Sequence, residues 1–276
     1  MKKPEPGAEK RGSPFGFVSD FTVAVGFLTV IPVPERAWSD PDLFGRSFAW
    51  FPVAGLLVGG IVAGASALLP ALLPPGVVAA LLVALWVFVT GGLHLDGLMD
   101  SCDGLFCAKS PAERLEVMRD SRVGAFGVLG AFLTLLVKFA ALGALLEGDA
   151  IWTAVAVVLS AVTGRWAMVF AAAAFPYHRH GGTLGAAFTR GVGARQLAVA
   201  SLLTGGFSLA GWWASSGDAA LLAGPVVALV VGAVASLAIR RLGGLTGDVY
   251  GAAGEVSEVA VLLVFVGFAS SFGGMP

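Results

Sequence analysis

The chain has 276 residues, of which 57% are apolar and only 13% charged, and its net charge is −1. Soluble domains average ~45–50% apolar and ~25% charged, so a mean hydropathy of +0.87 excludes a soluble enzyme of ordinary make-up. The near-neutral charge excludes a general nucleic-acid binder. Two cysteines, Cys102 and Cys107, are too few for a disulfide framework or a thiolate zinc site and read as buried thiols.

The first 14 residues, MKKPEPGAEKRGSP, are polar, carry three prolines and read as a disordered cytoplasmic tail. No small-residue cleavage site follows a suitable apolar core, so this is not a secretory signal. Residues 15–276 read as a single membrane-embedded domain. The first apolar run, Phe21 to Val33, has about 13 residues before Pro32 and Pro34 interfere, short of the ~20 that a spanning helix needs. It is expected to be re-entrant or interfacial, with Asp20 at its start.

Seven longer stretches qualify as spans: 50–70, 77–93, 124–146, 151–175, 197–215, 220–239 and 256–272. The fold class is therefore all-α, a polytopic integral membrane helix bundle with about seven transmembrane helices plus the short N-terminal helix. Basic residues fall in the tail, in the 94–123 loop (Lys109, Arg114, Arg119, Arg122), in 176–196 (Arg179, Arg190, Arg195) and at Arg240 and Arg241; the turns near 70–76, 147–150 and 216–219 have none. Positive charge stays on the cytoplasmic side, so the three long polar loops are expected to share that face.

The first of these loops begins HLDGLMDSCDGLFC. On a helix, Asp96 and Asp100 stand at i, i+4 and Asp100 and Asp103 at i, i+3, spacings that share a face. Carboxylates so close repel one another, and a hard divalent cation with oxygen ligands, Mg²⁺ above all, relieves the repulsion. His94 has no second histidine or Cys-x-x-Cys nearby, so an oxygen site is preferred and His94 joins the substrate-binding candidates. The segment RLEVMRDSRVGAFG follows. Arg119 and Arg122 flank Asp120 and Ser121 and suit phosphate recognition, and Gly124 and Gly127 open the next span, where free amides can meet an anion. Tyr177 and Arg179 in PYHRHGGTLG, and Asp248 in GGLTGDVYGAAGEVSE, face the same side. Glu255 and Glu258 open the last helix and either complement its dipole or join that polar face. The pattern GGLxxD occurs twice, at 91–96 and 243–248, each time after a span running inward, as in membrane folds built from repeats. Lys138 and Arg165 lie inside spans. Lys138 either pairs with an acid from a neighbouring helix or lines a polar chamber, and is carried among the substrate-binding candidates.

The stretch GGLHLDGLMDSCDGLFCAKSPAERLEVMRDSRVGAFGVLG resembles the signature of the cobalamin-5′-phosphate synthase (adenosylcobinamide-GDP ribazoletransferase) family. FLTVIPVP, FPVAGLLVG, PYHR and GLTGDVYGA resemble the same family in the same order, so the likeness covers nearly the whole chain. Met99 and Cys102 depart from it, at positions where small residues are expected. The resemblance implies a Mg²⁺-dependent enzyme of the bacterial inner membrane. It would transfer the adenosylcobinamide-phosphate moiety of adenosylcobinamide-GDP to α-ribazole or its 5′-phosphate and release GMP. It implies no nucleic-acid partner and leaves a homo-oligomer open. On that reading Asp96, Asp100 and Asp103 hold the metal, Arg119 and Arg122 stabilise developing charge, and Asp120 or one of the first three acids accepts the hydroxyl proton. His94, Ser121, Tyr177, Arg179, Asp248 and Lys138 contact substrate. The nearest rival is a CDP-alcohol phosphotransferase, but DGLFCAK followed by MRDSRVG departs from that family's DGxxAR and its later paired acids. A transporter is a second rival, disfavoured because polar residues gather in one set of loops rather than at the midplane.

Overall fold

A computed structural model describes residues 16–38, 41–178 and 191–271; the tail 1–14 and Arg179 lie outside them. Helix α1, Gly16–Leu28, is the expected short apolar helix, beginning earlier than the hydropathy suggested. Its 13 residues reach ~20 Å, too little to span. It is tied to α2, Pro41–Ser47, by an ion pair of 3.1 Å between Asp20 and Arg46. Phe27 packs edge-on to Phe44 with 4.9 Å between centroids.

Helix α3, Phe51–Leu68, lies against α8, Ala150–Ala174, the most buried of the long helices. Glycines four apart allow this approach: a Cβ at Gly55 would stand 2.6 Å from the Ala161 carbonyl oxygen, and one at Gly59 would stand 2.8 Å from the Val158 Cα. Small residues at that spacing let backbones meet where lipid offers no hydrophobic drive. Helix α4, Pro75–Thr90, ends on Gly91 and Gly92, with φ of 62° and 70°. The chain then turns by 92° into α5, Leu93–Phe106. A side-chain-bearing residue is strained at those angles, so the glycine pair makes the corner. The short α6, Pro111–Val117, opens with a Ser110–Glu113 capping box.

Four long helices complete the bundle: α7, Ala125–Leu146; α9, Ala194–Ser215; α10, Ala219–Leu242; and α11, Gly247–Ser271. Among the described residues six helices are long and apolar enough to cross a membrane alone, and a seventh crossing counts the bent α4–α5 pair. The chain is a multi-pass membrane protein. Phe126, Leu129, Phe132, Leu133 and Leu136 stand exposed along one side of α7, the stripe expected to face acyl chains. The last span starts at Gly247, nine residues before the sequence-based boundary of 256. Three acids in its first turns depress the local hydropathy and hide the helix.

That shift relocates Glu255 and Glu258. They are buried two to three turns inside α11, far from the helix dipole they were expected to complement. Lys138 of α7 donates to Glu255 at 2.9 Å and to Glu258 at 2.5 Å. Arg165 of α8 also pairs with Glu258, and Trp86 of α4 donates its indole N–H to Glu258 at 3.3 Å. The Lys138 ammonium sits 4.7 Å from the Trp86 ring centroid. Lys138 is 1% exposed. Of its two sequence readings, the pairing with acids of a neighbouring helix is the one realised, and its place among the substrate contacts gives way to an internal tie.

Candidate active site

Helices α5 and α11 cross at two glycines. A Cβ on Gly97 would lie 2.9 Å from the Asp248 carbonyl oxygen, and one on Gly251 would lie 3.2 Å from the His94 Cα. The two GGLxxD motifs therefore meet in space. In each, left-handed glycine ends one helix, Gly91 in the first and Gly243 (φ 82°) in the second. Each then places an aspartate, Asp96 or Asp248, in the first turn of the next helix.

Asp96 and Asp248 line one cavity of about 240 Å³. Its remaining polar lining is His94 and Tyr250, and its apolar wall is Phe27, Phe48, Phe51, Leu93 and Met168. Asp100 stands a turn further along α5. It is half-buried on the same face of the helix.

Asp103 is held apart. It is 7% exposed and accepts from the Gly124 amide at 2.8 Å and the Gly127 amide at 2.9 Å. The anion that meets the free amides at the start of α7 is thus the protein's own carboxylate, and both of its oxygens are engaged. A Cβ at Gly124 or Gly127 would run into that carboxylate, which is why these two positions are glycine. Among the described residues no three His, Cys, Asp or Glu side chains close into a metal cage. A cation here would find Asp96 and Asp100 one turn apart on α5. Two carboxylates suit Mg²⁺, which completes its shell with water and substrate phosphate oxygens.

The other two polar segments come to the same place. His178 N–H donates to the Leu245 carbonyl at 2.8 Å, and Leu245 N–H to that of Pro176 at 2.9 Å. Gly244 permits the contact, since a Cβ there would stand 2.9 Å from the His178 nitrogen. The Tyr177 and Tyr250 rings lie 6.4 Å apart. Burial raises the Tyr177 phenol above its usual range, with Asp248 adding and Arg119 opposing, so all three loops act on one another here. Arg179 lies outside the described residues.

The arginine segment is more open. Arg122 grips Asp120 at 2.6 Å with its side chain 87% exposed. Hydrogen bonds from Arg122 hold the Asp120 carboxyl down at about 2, which makes it a weak proton acceptor at neutral pH. Ser121 and Arg119 are exposed beside them. Arg114, which sequence treated as a topology determinant, is buried and caps the end of α5, donating to the carbonyls of Gly104 at 2.8 Å and Leu105 at 2.7 Å. Sequence reasoning also passed over Tyr250 and the aromatic wall. The available signal was Phe44, Phe48 and Phe51, spaced as one helical stripe.

Comparison with known proteins gives a consistent answer. The family model for cobalamin-5-phosphate synthase matches residues 20–266. The adenosylcobinamide-GDP ribazoletransferase of Deinococcus radiodurans is 43% identical over 244 residues, covering 87% of this chain and 82% of that protein. That of Desulfitobacterium hafniense is 40% identical over 247 residues, covering 87% and 94%. No solved structure matches. With the match running from α1 through α11 and taking in all three converging segments, the chain belongs to the cobalamin-5-phosphate synthase family.

Proposed function

We propose that the protein transfers adenosylcobinamide phosphate from adenosylcobinamide-GDP to α-ribazole or its 5′-phosphate, in a Mg²⁺-dependent reaction at the cytoplasmic face of a bacterial inner membrane. The observation that carries this reading is that Asp96 and Asp248, each in the first turn of its helix, line one cavity with Tyr250, against whose ring Tyr177 packs. Relatives named for this transfer cover most of the chain.

A ribose hydroxyl of the nucleoside attacks the phosphorus on the cobinamide side. A new P–O bond forms, the bond to the bridging oxygen breaks, and GMP leaves with that oxygen. Asp248 takes the hydroxyl proton; it stands at the cavity rim and is oriented by the Thr246 hydroxyl, which donates to it at 3.3 Å. Arg119 and Arg122 receive the negative charge that gathers on the leaving GMP, a task guanidinium planes suit. Such transfers run on positioning and charge neutralisation. Asp96 and Asp100 would hold Mg²⁺, whose charge neutralises the pyrophosphate when bound. Asp103 serves as a positioning residue: through the α7 amides it fixes the segment that carries both arginines.

The test is turnover by detergent-purified protein given adenosylcobinamide-GDP, α-ribazole 5′-phosphate and Mg²⁺. GMP and the joined corrinoid are expected in equal amounts, with EDTA abolishing both. Folded protein that forms neither product with intact substrates refutes the reading.

A further inference from the structure

We infer that the aromatic end of the cavity seats the base of the nucleoside substrate, so that α-ribazole enters with its fused ring among Phe27, Phe48 and Phe51 and its ribose against Asp96 and Asp248. The inference rests on the ribazoletransferase reading and adds the occupant of one subsite.

The wall comes first. Phe48 and Phe51 stack with centroids 4.2 Å apart, and Phe27 lies 6.1 Å from Phe51. Leu93 and Met168 complete an apolar lining. Flat faces of this kind select a planar aromatic ligand. Against that wall stand two buried polar atoms with no hydrogen-bond partner, the His94 Nε2 and the Tyr250 hydroxyl. Those residues are 4% and 5% exposed, so water does little for either, and each gains when a ligand supplies a partner.

Among the substrates' parts only one has this shape and polarity. A cavity of about 240 Å³ does not admit a corrin macrocycle. Guanine and the adenine of the adenosyl group are planar, but their edges carry several donors and acceptors, most of which two polar atoms would leave unsatisfied. The base of α-ribazole, dimethylbenzimidazole, is a fused aromatic ring whose sole free polar atom is one ring nitrogen. It accepts one hydrogen bond, from His94 or Tyr250, and turns its two methyl groups to the phenylalanines. The sugar then projects to the rim, where the carboxylates stand and the attacking hydroxyl is needed.

Equilibrium dialysis of radiolabelled α-ribazole against the detergent-purified full chain tests this. Leu93 is 42% exposed at the rim, so Leu93→Trp narrows the cavity without disturbing the core. The wild type is expected to bind α-ribazole, Leu93→Trp to bind it at least about tenfold more weakly, and the riboside of unsubstituted benzimidazole to bind the wild type about tenfold more weakly, for two lost buried methyls. Guanosine is expected not to compete. Equal binding by Leu93→Trp, indifference to the methyl groups, or displacement by guanosine overturns the assignment, and so does an absence of wild-type binding. Wild-type turnover, run alongside, separates the two ideas. Turnover with cavity-independent ribazole binding sinks the subsite alone; cavity-dependent binding without turnover sinks the transferase reading alone.

Discussion

Three aspartates share one helix face by arithmetic, yet they divide into two kinds in space. Asp96 lines the cavity and Asp100 stands one turn further along α5, whereas Asp103 spends both oxygens on the amides of Gly124 and Gly127. Seven residues of helix carry Asp103 ~10 Å beyond Asp96, far enough to stand over a different neighbour. Spacing told which side of the helix the carboxylates occupy but not what lies opposite each of them. The variants are expected to separate accordingly. Asp96→Asn and Asp100→Asn keep the wild-type melting temperature and lose turnover on the order of 100-fold or more, as removal of a ligand to a catalytic metal does. Asp103→Ala loses stability first, by ~1.5–3 kcal/mol for charge-assisted bonds to amides, read as a lower melting temperature in detergent. An Asp103→Ala protein as stable as wild type but inactive would restore it to the metal.

At the scale of elements, the corners matter more than the spans. Hydropathy located α3, α4 and α7–α10 well, because lipid-facing helices have few ways to be written. It missed the start of α11, because the same residues that build the site make that turn polar. The doubled GGLxxD motif was legible as an echo, but its meaning was not: two left-handed glycine corners each deliver an aspartate to one crossing of helices. That crossing depends on the missing side chain at Gly97, where a Cβ would stand 2.9 Å from the Asp248 carbonyl oxygen. Gly97→Ala is expected to push α5 off α11 and lower kcat at least about tenfold, since small misplacements of reacting groups cost heavily. Gly60→Ala, with nothing within 4 Å of its added methyl, is the control and keeps wild-type kinetics. Equal rates for the two variants would show that the crossing does not set the geometry.

For the whole molecule, the feature least visible in sequence is the buried quartet of Lys138, Arg165, Glu255 and Glu258. Its partners lie 117 and 120 residues apart on the Lys138 side, so no local pattern announces them, although Lys138 and Arg165 were conspicuous in their spans. Two positive and two negative groups cancel. Removing one acid strands a charge where water does not reach. Glu258→Gln is expected to destabilise the fold by ~3–5 kcal/mol. Joint replacement of Lys138 by Met and Glu255 by Gln, which removes one charge of each sign, is expected to cost much less. Thermal unfolding in detergent compares them, and additive losses would mean the four groups do not act as a unit.

The same quartet orders events during synthesis. Lys138 and Arg165 enter the bilayer with α7 and α8, while both carboxylates that neutralise them arrive only with α11, the last helix described. Until then the ribosome has released a bundle with two uncompensated cations at membrane depth, where isolated charge is expensive. A chain broken off before α11 therefore keeps both cations without the carboxylates that neutralise them. Addition of α11 closes the charge balance in the same step that brings Asp248 to Asp96, so the chain acquires its full site only when its buried charges are balanced.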